Sequence, residues 1–381
     1  MTQGIYDKMF NSEYDNAPNW MRQDSMLELF KVYDKTWAPV MQDVYPRVAA
    51  PPLQGGTTPS IDTPFYIPNF ADIQTMSRFY SYHEMADRRG MNFGKEEMQA
   101  RLTKEWGPII DPREYAEEFK SGFLAARNQL LAENATKSLS RFIEYNLVAY
   151  TKKNATVMNE FGDQYAQTAS RQKVFDCMQT TSTHTEYLGG KAWDDSSAEV
   201  LKQLVKLNLY MNEMADADIT KAYIGANTAA GLELNTEVQD LLKYNIDTTK
   251  KITNITMKGV NFTKVMGQTY KDDSTNSSRV GYPGMGDTRF DNWDTRRKVK
   301  MMVDSDAGTN REFAFFIAGQ LGNTYTAKTD PLHKDTNVPF VNEWKDPRTK
   351  MQFSELQLGF TPFIYDFANV IYVKRMGEQK V

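Results

Sequence analysis

Apolar side chains recur at three- and four-residue steps in two stretches of the chain. From about 113 to 150, Tyr115, Phe119, Phe123, Ala126 and Leu130, then Leu139, Phe142, Ile143, Leu147 and Tyr150, fall on one face of a helix. Pro112 stands where a first turn tolerates a missing N–H, and Asn134 is the weak point of the run. The spacing predicts one long amphipathic helix. A second helix is predicted from Ser196 to Met214, where Val200, Leu204, Leu207, Met211 and Met214 line one face and Trp193-Asp194-Asp195-Ser196-Ser197 offers N-caps. Ala222-Tyr223-Ile224-Gly225 then reads as a buried strand ending in a turn, with a short helix after it and Val238, Leu241 and Leu242 on another. Phe313 to Gly319 and Val370 to Val373 are apolar, β-branched and aromatic enough for core strands.

The remaining segments lack a helical period. Residues 1 to about 50 alternate polar and aromatic side chains, are broken by Pro18, Pro39 and Pro46, and hold one short amphipathic stretch in Met26, Leu27, Leu29, Phe30 and Tyr33. That pattern suits an arm. Ala50-Pro51-Pro52-Leu53-Gln54-Gly55-Gly56-Thr57-Thr58-Pro59 stops any regular element, because proline fixes φ and withholds a donor while glycine frees the backbone. Phe65-Tyr66-Ile67 and Met76-Ser77-Arg78-Phe79-Tyr80 are short β-prone runs leading to Arg88-Arg89-Gly90, which predicts an extended, hairpin-like excursion. Residues 157 to 190 are mixed and β-prone, and 246 to 312 read as surface loops on a small sheet. The fold class expected from these elements is α+β.

Composition narrows the functional classes. Hydrophobic residues at 40% and aromatic residues at 12% supply enough apolar surface for a folded core. Forty-five Lys and Arg against 49 Asp and Glu leave a net charge of −4, without the basic excess of a DNA-coating protein, so nucleic-acid contact is expected to be weak and local. The first residues carry neither a positive n-region nor an apolar h-region, and no apolar run approaches the roughly 18 residues of a membrane span, so a soluble chain without an export signal is expected. Cys177, the single cysteine, excludes an intrachain disulfide and is expected as a packed thiol.

No catalytic, cofactor-binding or metal site emerges. His83, His184 and His333 are far apart, and His184 with Glu186 is a weak metal signal alone. The pairs Asp216/Asp218 and Asp304/Asp306 lack the glycine and terminal glutamate of a calcium loop and read as helix-end and loop acids. Gly281-Tyr282-Pro283-Gly284-Met285-Gly286 has the wrong spacing for a phosphate loop, and Pro283 removes an amide that would cradle phosphate. Arg296-Arg297-Lys298-Val299-Lys300 beside Trp293 either contacts phosphate or a subunit, or guards a strand edge with charge. The aromatic residues of the arm and the hairpin have no core of their own and are expected to bury on neighbouring subunits.

The order of parts resembles the major capsid protein of tailed bacteriophages of the Hong Kong 97 (HK97) type. The local match is to lambda-like head proteins, in Trp193-Asp194-Asp195, the helix from Ser196 to Met214, the strand Ala222 to Gly225, and Asn235-Thr236-Glu237-Val238-Gln239-Asp240-Leu241-Leu242. The ending Pro362-Phe363-Ile364-Tyr365-Asp366 with Val370-Ile371-Tyr372-Val373 is similar to family C-termini. Met214-Ala215-Asp216-Ala217-Asp218-Ile219 departs from it, since relatives often carry Thr-Gly and proline before the strand.

The resemblance implies an α+β subunit with an N-terminal arm (1–50), an extended loop (51–94), a spine helix with part of the peripheral domain (95–190), an axial domain (191–320) and return strands (321–381). It implies no enzymatic activity, and self-assembly into hexamers and pentamers of an icosahedral shell in the virion. Its implied partners are further copies of itself, portal, scaffold and cement proteins, and double-stranded DNA held by weak non-specific contact, with no membrane. An encapsulin-like nanocompartment shell is the nearest rival, followed by a cytoplasmic enzyme with an α/β domain over about 190 to 320. The founding member of this fold locks its shell by lysine-to-asparagine bonds. Here the loop from Pro51 to Gly94 holds Arg78, Arg88 and Arg89 but no lysine, and Lys95 adjoins its base, so a non-covalent shell is expected.

Overall fold

The structure is a computed structural model that describes residues 30, 40–53, 56–70, 93–110, 132–152, 174–178, 186–188, 190–244, 254–265, 270–271, 298–299, 302–304, 311–348, 352–365 and 369–378. It is a mixed α+β architecture, as expected. The chain divides into two compact units, one comprising 1–38, 46–140 and 323–365, the other 39–45, 141–322 and 366–381.

In the first unit, β1 (Arg47–Ala49) pairs in parallel with β14 (Gly322–Ala327). The long β16 (Gln352–Ile364) runs antiparallel to both β15 (Phe340–Lys345) and β4 (Arg101–Ile110), in a sheet of order β1-β14-β16-β15. Beside them β2 (Phe65–Phe70) and β3 (Phe93–Met98) form an antiparallel pair in register from Phe65↔Met98 to Phe70↔Phe93. The predicted run Phe65-Tyr66-Ile67 lies on β2, and the rest of the expected excursion, Met76 to Gly90, lies outside the described residues. Phe65 and Ile67 are buried and Tyr66 between them is exposed, so period-two alternation fixes the hairpin face that packs with Ala50, Ala100, Tyr325, Ala327 and Phe363. Gly359 permits the closest approach here, because a Cβ on it would lie 2.5 Å from the Ile61 side chain and 3.2 Å from the Ala327 carbonyl oxygen.

The second unit is built on a sheet whose strands are β5 (Val174–Asp176), β6 (Glu186–Tyr187), β7 (Lys221–Ile224), β8 (Asn254–Met257), β9 (Val260–Lys264), β12 (Val303–Asp304), β13 (Arg311–Ile317) and β17 (Val370–Glu378). Their order is β6-β5-β17-β13-β7-β9-β8, with β12 on β13, eight strands in all. Phe313 to Ile317 are buried without alternation, which marks a strand covered on both faces. Phe316 packs with Trp193 and Phe262 on one side, while Phe313 and Phe315 pack with Tyr372 on the other. Both predicted core strands are therefore present.

Helices α2 (Val200–Ala215), α3 (Ala226–Leu234) and α4 (Thr236–Tyr244) belong to this unit. Val200, Leu204, Leu207 and Met211 are buried as their spacing predicts. The helix starts at Val200 and not at Ser196, because the Asp195 carboxylate accepts the Ser197 N–H at 2.9 Å and its hydroxyl at 2.7 Å, holding the backbone in a turn. Asn235 joins two of the helices: its Nδ2 donates to Ala198 O at 2.9 Å, and its Oδ1 accepts the Glu237 N–H at 3.0 Å at the start of α4.

Residues 132–152 form helix α1, with no break at Asn134; residues 113–131 of the predicted helix lie outside the described ones. Leu139, Ile143 and Leu147 are buried as expected, whereas Phe142 and Tyr150 are only half-buried. The buried stripe runs instead through Thr136, Ser140, Glu144 and Thr151. Thr136 and Thr151 satisfy their hydroxyls by donating to the carbonyls of Ala132 and Leu147, four residues back.

Residues 40–50 differ from the expected arm. Val40–Asp43 is a short 3-10 helix, Met41, Val44 and Tyr45 are fully buried, and Leu321 and Gly322 donate to the Val44 carbonyl at 3.1 and 3.2 Å. The segment is polar enough to read as arm, but Met41, Val44, Tyr45 and Ala50 are buried in the fold. Phe30 is also buried, with the Arg47 guanidinium 5.2 Å from its ring centre.

Candidate functional site

Among the described residues, buried polar groups that could carry chemistry include Glu312, Asp176, Glu144 and His333, and each of these is bound within the fold. Glu312 on β13 accepts the N–H groups of Asn227 and Thr228 at 2.9 and 2.7 Å and the Thr228 hydroxyl at 2.9 Å. These are first-turn donors of α3, so a strand carboxylate caps the positive end of the helix. Gly225 makes the approach possible, since a Cβ there would sit 2.3 Å from the Glu312 carboxyl carbon.

On β17, Glu312↔Gly377 and Ala314↔Val373 are paired, so Lys374, Arg375 and Met376 stand opposite Phe313 alone. Arg375 takes a left-handed φ of 55° in this bulge. Its Nε donates to Asp176 Oδ1 at 2.7 Å, Cys177 N–H donates to Lys374 O at 3.2 Å, and Trp193 N–H donates to Met376 O at 2.7 Å. Cys177 is the packed thiol the sequence suggested: it lies 3.1 Å from Met376 Sδ, and burial pushes its pKa far up.

Glu144 on α1 is buried and accepts the Met41 N–H, at 3.2 Å through Oε2. Burial raises its pKa to about 8 against the opposing Met41 bond, with the Asp43 charge adding to the rise. Beside it the Tyr45 and Thr151 hydroxyls are 2.9 Å apart. Sequence reasoning missed this cluster, because a single acid at helical spacing carries no motif. His333 is buried, donates from Nε2 to Val338 O at 2.9 Å, and accepts the Thr329 N–H at Nδ1. Burial lowers its pKa, so the ring stays neutral and shapes the turn between β14 and β15.

The acids near 216 behave as helix-end acids. Asp216 is the left-handed C-cap of α2, and Asp218 accepts from Asn208 Nδ2 at 2.8 Å. Lys298–Val299 forms β11 against β10 (Tyr270–Lys271). His83, His184, Trp293, Arg296, Arg297, Asp306 and the Gly281–Gly286 run lie outside the described residues. Among the described residues no His, Cys, Asp and Glu group is placed to hold a metal ion, and no helix is long and apolar enough to cross a membrane.

What the described surface offers instead is apolar contact area. Tyr66, Val205, Leu209, Leu234, Leu332 and Trp344 are large hydrophobic side chains open to solvent. Trp344 on β15 stacks on Phe353 with ring centres 5.5 Å apart, and Leu332 is held at the tip of a turn by a bond from its N–H to Asp330 Oδ1 at 2.8 Å.

No protein-family model matches the chain, and no curated protein matches it. Solved structures similar to it include a phage-related protein from Bordetella bronchiseptica RB50, 10% identical over 92% of this chain and 96% of that chain, with a TM-score of 0.49. The capsid of Cyanophage Pam1 is 9% identical over 88% of each chain with a TM-score of 0.48. A virus-like particle from Pyrococcus furiosus is 8% identical over 92% of this chain and 98% of that chain, with a TM-score of 0.41.

Proposed function

We propose that the chain is a major capsid protein with the HK97-type fold, assembling with copies of itself into hexamers and pentamers of an icosahedral shell around double-stranded phage DNA. The observation that carries the reading is the order of parts. The β2/β3 hairpin is followed by helix α1 and then by a helix-bearing sheet into which β17 returns, the order in the sequence that resembles this family. The engagement of Glu312, Asp176 and His333 in structural bonds supports a non-enzymatic role. The match around Trp193 and Asn235 favours the lambda-like branch, and both residues are buried at junctions of the α2–α4 region.

In this reading the segment before residue 40 and the hairpin tip bind neighbouring subunits, and the remaining partners are portal, scaffold and cement proteins. The net charge of −4 supports weak, non-specific DNA contact. Electron microscopy of the purified product tests the proposal. Closed shells, with DNA-filled heads in a phage lysate, are expected. A 43.7 kDa monomer under every assembly condition overturns it, and shells loaded with a cargo enzyme would indicate a nanocompartment.

A further inference from the structure

We propose that the exposed face of α2 docks against the same helix of a second copy, running antiparallel to it. The inner face of α2 is buried in its own unit, and Lys202, Val205, Lys206, Leu209, Asn212, Glu213 and Asp216 form the outer stripe at three- and four-residue steps. Val205 is 55% and Leu209 59% exposed, one turn apart in the middle of that stripe. Two large apolar side chains at the centre of a polar-ended face are the pattern of a small contact core with a charged rim.

The charges identify the occupant. Lys202 and Lys206 lie in the N-terminal half of α2, and Glu213 and Asp216 lie at its C-terminal end. The first turn has no acid and the last turn no base. This is opposite to the order that the helix macrodipole favours, so the helix does not gain from it alone. A second copy placed antiparallel about a two-fold axis through Leu209 brings positions equally distant from 209 together. Lys202 then meets Asp216, Lys206 meets Asn212 beside Glu213, Val205 meets Glu213 beside Asn212, and Leu209 meets its own copy. The face is self-complementary in this orientation, whereas a parallel pairing sets like charges against each other. Lys202 already bonds Glu199 at 2.7 Å, but both side chains are open to solvent and such a pair yields at little cost.

A helix-on-helix contact buries less than the roughly 1,200 Å² of a standard interface, so the pairing is weak in dilute solution and strengthens where copies are concentrated. It does not rest on the shell reading, because free subunits can form it.

Leu209→Cys in the full chain tests it, since the native thiol of Cys177 is buried and separate from the surface. With diamide as oxidant, the variant is expected to give a disulfide-linked species of twice 43.7 kDa that reductant removes, at least about tenfold faster than Leu332→Cys, which puts a thiol at a still more open apolar site. Equal rates overturn the proposal. The charge arm adds Lys202→Glu with Lys206→Glu in one chain and Glu213→Lys with Asp216→Asn in another, both built on the Leu209→Cys background. Each alone should cross-link poorly, and the mixture should recover the parent rate. If either alone matches the parent, or the mixture stays as slow as both, the antiparallel assignment is wrong. Titration of a second thiol would reveal a variant that has unfolded.

Discussion

The guanidinium of Arg375 grips the carboxylate of Asp176 through two of its nitrogens, across the parallel pair of β17 and β5. That bond holds a non-glycine residue at φ 55° in a strand and keeps the bulge of Lys374, Arg375 and Met376 in place. Asp176 is nearly fully buried while Arg375 reaches solvent, so removing the guanidinium leaves a carboxylate with poor solvation.

Arg375→Ala is therefore expected to cost about 3 kcal/mol in denaturant unfolding, since it strands the buried Asp176 carboxylate. It should also make Cys177 accessible to a thiol reagent, because the Cys177 N–H bond to Lys374 depends on the same bulge. Unchanged stability and an unreactive thiol would assign the bulge to strand packing alone.

Stability should fall as pH rises through about 8. Glu144 has a folded pKa of about 8 against an ordinary 4.5, so the native state holds its proton more tightly than the unfolded chain. The contribution is complete below about 4.5 and is lost progressively as pH rises through the folded value, at up to about 1.4 kcal/mol per pH unit. Melting temperature measured from pH 5 to 9 should decline, and Glu144→Gln should flatten most of the decline. Glu105, raised by burial to about 7, adds a loss of the same sign and smaller total size whose window closes near pH 7.

Gly225→Ala is expected to destabilise the chain by about 2–3 kcal/mol, although its φ of −73° suits any residue. The cause is steric, a methyl group meeting the Glu312 carboxyl carbon at 2.3 Å. Shortening the neighbour by Glu312→Asp should then cost less in the Gly225→Ala background than in the parent, which a double-mutant cycle measures.

On the proposed shell function, assembled particles boiled in denaturant should run as a single band near 43.7 kDa. The hairpin and its flank from Pro51 to Gly94 contain no lysine, and Lys95 pairs with Pro68 within the ladder of β2 and β3. A ladder of covalent multimers that survives reductant would contradict this.

Local periodicity made α2 and β13 legible, because Val200, Leu204, Leu207 and Met211, and the run from Phe313 to Ile317, each announce burial within a few residues. Phe142 misled for the same reason. It fits the spacing, but the stripe that packs is turned toward Ser140 and Glu144, and no local signal says that a serine and a glutamate will be buried. Glu312 finds its partners 84 and 85 residues away and Glu144 finds Met41 at a separation of 103 residues, distances over which spacing rules say nothing. The pairing of β4 with β16 is equally non-local. The α2 surface stripe was in plain view as sequence, but its exposure became visible only once the other face was seen packed.

The position of β17 also sets an order of events during synthesis. Val370–Glu378 lies between β13 and β5, inside the eight-stranded sheet and not at its edge. A ribosome that has released everything through Ile317 has therefore produced two groups of strands with no bridge between them. The bridging strand emerges after both groups, and closure of the long intervening span slows its insertion. Until it arrives, β13 and β5 present open edges that a chaperone or another nascent chain could occupy. Polysomes making this chain are thus predicted to carry subunits whose eight-stranded sheet is still open between β13 and β5.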